Sequence, residues 1–133
     1  MAAVACFFPP TDFLNYGIPG EDGVGIGILK GFKDAFGPRA DEPEERKKLG
    51  HEISPIYFVS SNTAPTLILH GDKDKLVPIQ QAESFLERAK EAGVKTKLIA
   101  KEGAAHGWKD WVADVALFTD WFDENLRGLK KAN

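Results

Sequence analysis

Cysteine is almost missing: Cys6 stands alone in 133 residues. An internal disulfide is therefore excluded, as is any metal site built on a cysteine cluster. Histidine is scarce too. His51, His70 and His106 make no helical i, i+4 pair, so nothing supports a metal centre, and no cofactor is expected. No apolar run is long enough to cross a bilayer, and no membrane partner is expected. The apolar stretch 2–8 has no basic leader and meets Pro9 and Pro10 at once, so it does not read as a secretory signal. Charge of one sign is concentrated nowhere: 17 basic and 20 acidic residues are mixed along the chain, for a net charge of −3. Without a basic stripe, a nucleic-acid partner is not expected. A single cysteine fits a reducing compartment, which favours a cytoplasmic location for the chain as given; a longer parent is compatible with secretion.

What is present is the composition of a folded domain. Hydrophobic residues make up 43% and charged residues 28%, a balance that buries a core rather than staying disordered. The length suits a single domain over 1–133. Residues 2–8 read as a short strand, apolar throughout, of the kind buried on both faces in parallel sheets. An irregular excursion follows over 11–64, with glycines at 17, 20, 23, 25, 27, 31 and 37. Within it, 24–36 is a weak helix candidate, because glycine disfavours helix. Residues 41–48 read as an exposed helix with Pro43 in its first turn. Thr66 to Leu69 is the clearest strand, an apolar run between Pro65 and Gly71. Residues 79–92 form an amphipathic helix with Ile79, Ala82, Phe85, Leu86, Ala89 and Ala92 on one face, ended by Gly93. A strand over 95–101 and a long helix over 110–127, with Trp111, Val115, Phe118 and Phe122 on one stripe, complete the chain. Strands alternating with helices predict an α/β fold with a parallel sheet.

In such sheets the chemistry sits on loops leaving the carboxyl ends of the strands. Two loops are placed there. The first reads His70-Gly71-Asp72-Lys73-Asp74-Lys75-Leu76-Val77-Pro78, the second Gly103-Ala104-Ala105-His106-Gly107-Trp108. A carboxylate on one and an imidazole on the other are suited to meet: the acid holds the tautomer that lets the histidine act as a general base. Plainer roles exist for both. Asp74 is a candidate for a turn or helix-cap carboxylate before Ile79, although Asp72 suits that role better. His106 is a candidate for a loop histidine bonded to backbone. His70 reads as a buried strand-end residue, and His51, after a charged helix, as solvated. Cys6, inside an apolar strand, reads as an inert small hydrophobe. Gly23, Gly25 and Gly27 do not complete a dinucleotide loop, because Lys30 stands where the third glycine belongs.

The pattern strand-His70-Gly71-x-x-Asp74-x-x-Val77-Pro78, then helix, strand and Gly103-x-x-His106-Gly107, resembles the end of α/β-hydrolases. The likeness is to bacterial carboxylesterases and prolyl-oligopeptidase-type peptidases. Phe7-Phe8-Pro9-Pro10-Thr11-Asp12, Ser54-Pro55 and Ala64-Pro65 fit the same group, so the resemblance runs over about residues 4–127. It implies a partial α/β-hydrolase fold, the last three parallel strands with flanking helices. It also implies Asp74 as the triad acid and His106 as the triad base, in the family's order of nucleophile, acid, base. The departure from the family lies at the nucleophile. No glycine here is followed two residues later by serine, so the Gly-x-Ser-x-Gly turn is missing from this sequence, and the oxyanion-hole donors that accompany it are not recognisable either.

The expectation is therefore the C-terminal part of a serine hydrolase for small carboxylic esters, or alternatively peptides, inactive or weakly active alone. The competing expectation is a non-catalytic, self-assembling module of hydrolase descent, or one half of a split hydrolase. The first strand lacks the neighbour that the complete fold would give it. Its open edge predicts a homo-oligomer, most simply a two-fold dimer joined strand to strand.

Overall fold

The computed structural model describes residues 2–128. Three strands, β1 (Val4–Phe7), β2 (Thr66–Gly71) and β3 (Thr96–Lys101), form one parallel sheet in the order β1-β2-β3. β2 is the central strand, and all six of its residues are buried. Its alternation separates two cores. Ile68 faces Ala82, Phe85, Leu86 and Ala89 of helix α3 (Gln80–Glu91), whereas Leu67 and Leu69 face Trp121, Leu117 and Phe118 of helix α4 (Val115–Phe122). Helices thus cover both faces of the sheet. Leu67, Ile68 and Leu69, buried at the centre, each contribute about 1.5–3 kcal/mol by leaving water.

The excursion between β1 and β2 contains two further helices, α1 (Lys33–Phe36) and α2 (Pro43–Ile53), with 3₁₀ turns at Gly27–Phe32, Pro38–Asp41 and Pro55–Phe58. The expected helix over 24–36 is broken: bends over 24–26 lead into the 3₁₀ turn Gly27–Phe32, and only Lys33–Phe36 is α-helical. Gly25 and Gly27 take positive φ there, which an α-helix cannot accommodate. α2 runs five residues past the expected Lys48 and takes in His51, which stacks on Tyr57 at 4.4 Å between ring centroids rather than standing beyond the helix. The last helix is shorter than its apolar stripe suggests. Residues 109–114 are turns held by i to i+3 bonds, such as Asp114 N to Trp111 O. The Asp114 carboxylate accepts from Trp108 Nε1 at 2.6 Å and pairs with Lys101, which pins this segment to the end of β3. After α4 the chain widens into a π-helical turn over Asp123–Arg127.

β1 is shorter than the expected 2–8, and among the described residues it pairs only with β2. A groove of about 220 Å³, lined by Val4, Cys6, Pro9, Ile68 and Phe85 among others, runs beside it. Cys6 is half-buried, and burial pushes its thiol up to about 11. It is therefore protonated at neutral pH and a poor nucleophile.

Candidate active site

The two loops singled out in the sequence leave β2 and β3 at the same edge of the sheet. Because the strands are parallel and in register, with His70 opposite Ala100 and Gly71 opposite Lys101, their carboxyl ends open side by side. Backbone bonds then tie the loops together. Asp72 N donates to Lys101 O at 3.1 Å, Lys73 N to Ala104 O at 2.9 Å, and Gly103 N to Asp72 Oδ1 at 2.7 Å. Gly71 is needed for this approach, since a Cβ on it would strike the carbonyls of Ala104 and Ala105. Asp72 therefore links the loops and does not cap α3. Residue Ile79 stands at the cap position, and no side chain bonds there.

Asp74 and His106 are brought together. Asp74 Oδ1 accepts from the backbone amides of Leu76 at 2.9 Å and Val77 at 2.8 Å, which orients the carboxylate. Its Oδ2 accepts from His106 Nδ1 at 2.8 Å. The Asp74 side chain is fully buried, while that of His106 is 35% exposed. With Nδ1 carrying the proton given to Asp74, Nε2 is left as the nitrogen with a free lone pair, the arrangement a general base requires.

His70 lies closer to this pair than its reading as a plain strand-end residue suggests. It is fully buried, and its Nε2 donates to Val77 O at 2.7 Å. The same nitrogen sits 3.5 Å from Asp74 Oδ2. Burial holds its pKa below the usual histidine value, with the Val77 bond and the Asp74 charge acting against that. A neutral His70 leaves the Asp74 carboxylate to His106.

The excursion buttresses the acid loop through residues with no motif to mark them. Tyr16 donates to Leu76 O at 2.8 Å, and burial with the nearby Asp74 charge raises its pKa. Gln81, fully buried at the start of α3, receives the amides of Thr11 and Asp12 on Oε1 at 2.9 and 2.8 Å and donates to Asn15 O. The only available signal was a polar residue on the inner face of an amphipathic helix. Of the four serines, Ser54 is fully buried between Gly50 O and Phe13 N, and Ser84 bonds to Gln80. Ser60 and Ser61 are exposed on the connector before β2. Among the described residues no serine is hydrogen-bonded to His106. Nor does any group of three or more His, Cys, Asp or Glu side chains stand ready to hold a metal ion.

The family model described as BD-FAE matches residues 1–89. Among curated proteins, the chain is 32% identical over 89 residues to the uncharacterized peptidase YuxL of Bacillus subtilis, covering 62% of this chain and 13% of that protein. It is 36% identical over 58 residues to the esterase LipC of Mycobacterium tuberculosis, covering 43% of this chain and 14% of that one. Among solved structures, a truncated carbohydrate esterase from gut microbiota superposes with a TM-score of 0.66 at 27% identity, over 89% of this chain and 41% of that chain. The Pyrococcus horikoshii acylaminoacyl peptidase shares the fold with a TM-score of 0.69 at 20% identity, over all of this chain and 21% of its own. This chain thus spans about an eighth of the curated relatives' length and under half of the esterase structure.

Proposed function

The chain belongs to the BD-FAE family, and on that premise we propose that it is the acid-and-base part of a serine hydrolase for carboxylic esters. The observation that carries this reading is the 2.8 Å bond from His106 Nδ1 to a buried, doubly anchored Asp74. In the reaction, a serine hydroxyl from outside this chain attacks the ester carbonyl. His106 Nε2 takes the hydroxyl proton and returns it to the departing alcohol, while Asp74 keeps the imidazole oriented and balances its transient positive charge. The donors that stabilise the oxyanion also come from outside the chain. Esters are favoured over peptides because the esterase structure at 27% identity covers 89% of this chain; a peptide substrate is the alternative, supported by the likeness to YuxL.

Alone, the chain is expected to hydrolyse a short-chain nitrophenyl ester only slowly, through His106 acting on water. His106→Ala lowers that rate by about a hundredfold, the low side of a general base's usual contribution. Serine-directed phosphonates leave it unchanged. Rapid stoichiometric labelling of one serine by such a reagent contradicts the assignment of an external nucleophile. A rate equal to that of His106→Ala contradicts the assignment of the base, and favours a second reading in which the chain is a non-catalytic, self-assembling module. That reading is supported by the open edge of β1 and the apolar groove beside it.

A further inference from the structure

We propose that Phe8 is a positioning residue for the proposed base, its ring fixing the plane of the His106 imidazole. The inference rests on the reading of His106 given above. Phe8 follows β1 at the carboxyl edge of the sheet, and its amide still donates to Leu69 O at 2.8 Å. Its φ is +34°, and every other described residue with a positive φ is a glycine. A side chain bearing a Cβ disfavours that region, so the surroundings must hold it there. Strain of this kind collects where a fold needs one side chain aimed in one direction.

The target of Phe8 is His106. The two ring centroids lie 4.2 Å apart with the planes inclined at 49°. Trp108 and His70 meet the Phe8 ring nearly perpendicular at 6.1 and 6.4 Å, so the base loop and the end of β2 flank it. The base needs such a restraint. Its loop has Gly103 at φ +70° and Gly107 at φ +98°, two permissive residues on either side of it. The bond to Asp74 fixes one nitrogen but leaves the ring free to tilt about it. An aromatic surface on one side of the imidazole removes that freedom and sets the direction of the Nε2 lone pair.

The test is proton NMR of histidine-labelled protein, following the Nδ1 proton of His106, which survives exchange with water only while the ring is held against Asp74. In the wild-type chain this downfield signal is expected, together with cross-relaxation between the Phe8 ring and the imidazole. Phe8→Gly suits the positive φ but removes the ring, so the fold should persist while the signal is lost to exchange. Phe8→Tyr should restore it. Persistence of the signal in folded Phe8→Gly overturns the proposal, and so does absence of the Phe8–His106 cross-relaxation in the wild-type chain, a result that holds even if Phe8→Gly fails to fold. Absence of the signal from the wild-type chain instead removes the Asp74–His106 reading, and this proposal with it.

Discussion

His70 and His106 are two histidines in one cluster, separated by a single atom-level difference: which nitrogen donates, and to what. His106 donates through Nδ1 to a carboxylate and keeps an exposed face; His70 donates through Nε2 to a carbonyl and is sealed in. The second arrangement links folding to pH. Burial lowers the His70 pKa in the folded chain, so below the unfolded value of about 6.5 the unfolded state binds a proton that the folded state refuses. The contribution is fully present above that pH and is lost progressively as pH falls below it. The urea midpoint is therefore expected to drop between about pH 7.5 and about pH 5.5, and to drop less in His70→Gln, which cannot take up that proton. Equal drops in the two proteins contradict the assignment. The loops that carry Asp74 and His106 were legible from the strands before them, and the choice of Asp74 over Asp72 came from the resemblance of His70-Gly71-x-x-Asp74 and Gly103-x-x-His106-Gly107 to α/β-hydrolases. The contact of His70 with Asp74 was not legible, since it depends on how the loop after β2 folds back on its own strand.

At the scale of elements, the pattern of β2, α3 and β3 was readable from apolar runs, period and the closing Gly93, and their observed bounds differ by only a residue or two from the expected ones. What periodicity does not encode is how the excursion is fastened to them. Gln81 does this, with both its amide oxygen and its amide nitrogen engaged across the junction of α3 with residues 11–15. Gln81→Ala strands the buried Thr11 and Asp12 amides. A loss of roughly 2–4 kcal/mol is expected, since each unsatisfied buried group costs on the order of 1–3 kcal/mol. Gln81→Glu keeps the acceptor but sets a buried carboxylate oxygen against the oxygens of Asn15 and Gln80, so it should cost at least as much. Equilibrium denaturation of the three proteins measures this, and equal stability of all three would show that the clamp is not needed. The shortened last helix has a similar cause. Its apolar stripe begins at Trp111, but the grip of Asp114 on Trp108 and Lys101 holds 109–114 in turns, and a helical period carries no trace of that bond.

For the whole molecule, helices lie on both faces of the sheet, and among the described residues β1 and β3 each pair only with β2; of these two edges the wholly apolar one is β1. Trp111, Val112 and Val115 are exposed, and the β1 end of the α4 face is marked by Phe7 meeting Trp111 at 5.3 Å between centroids; the groove lined by Val4 and Cys6 lies on the other side. An unpaired apolar edge of this kind invites a partner strand. A two-fold dimer through β1 is the proposal that follows, and light scattering coupled to size exclusion should find twice the monomer mass. Val4→Lys, a charge at the open edge, should yield a folded monomer. A wild-type chain that stays monomeric at micromolar concentration contradicts the proposal.

Whether His106 is a base held by Asp74 is decided by where the ring protons of the two histidines sit. Long-range proton–nitrogen NMR correlation spectra of histidine-labelled protein, taken where both rings are neutral, report which nitrogen of each ring carries the proton. The prediction is opposite tautomers in one spectrum: Nδ1–H for His106, donated to Asp74, and Nε2–H for His70, donated to Val77. In Asp74→Asn the His106 preference should be lost. An Nε2–H tautomer for His106 in the wild-type chain would contradict its role as the base, because the nitrogen meant to accept the serine proton would already carry one.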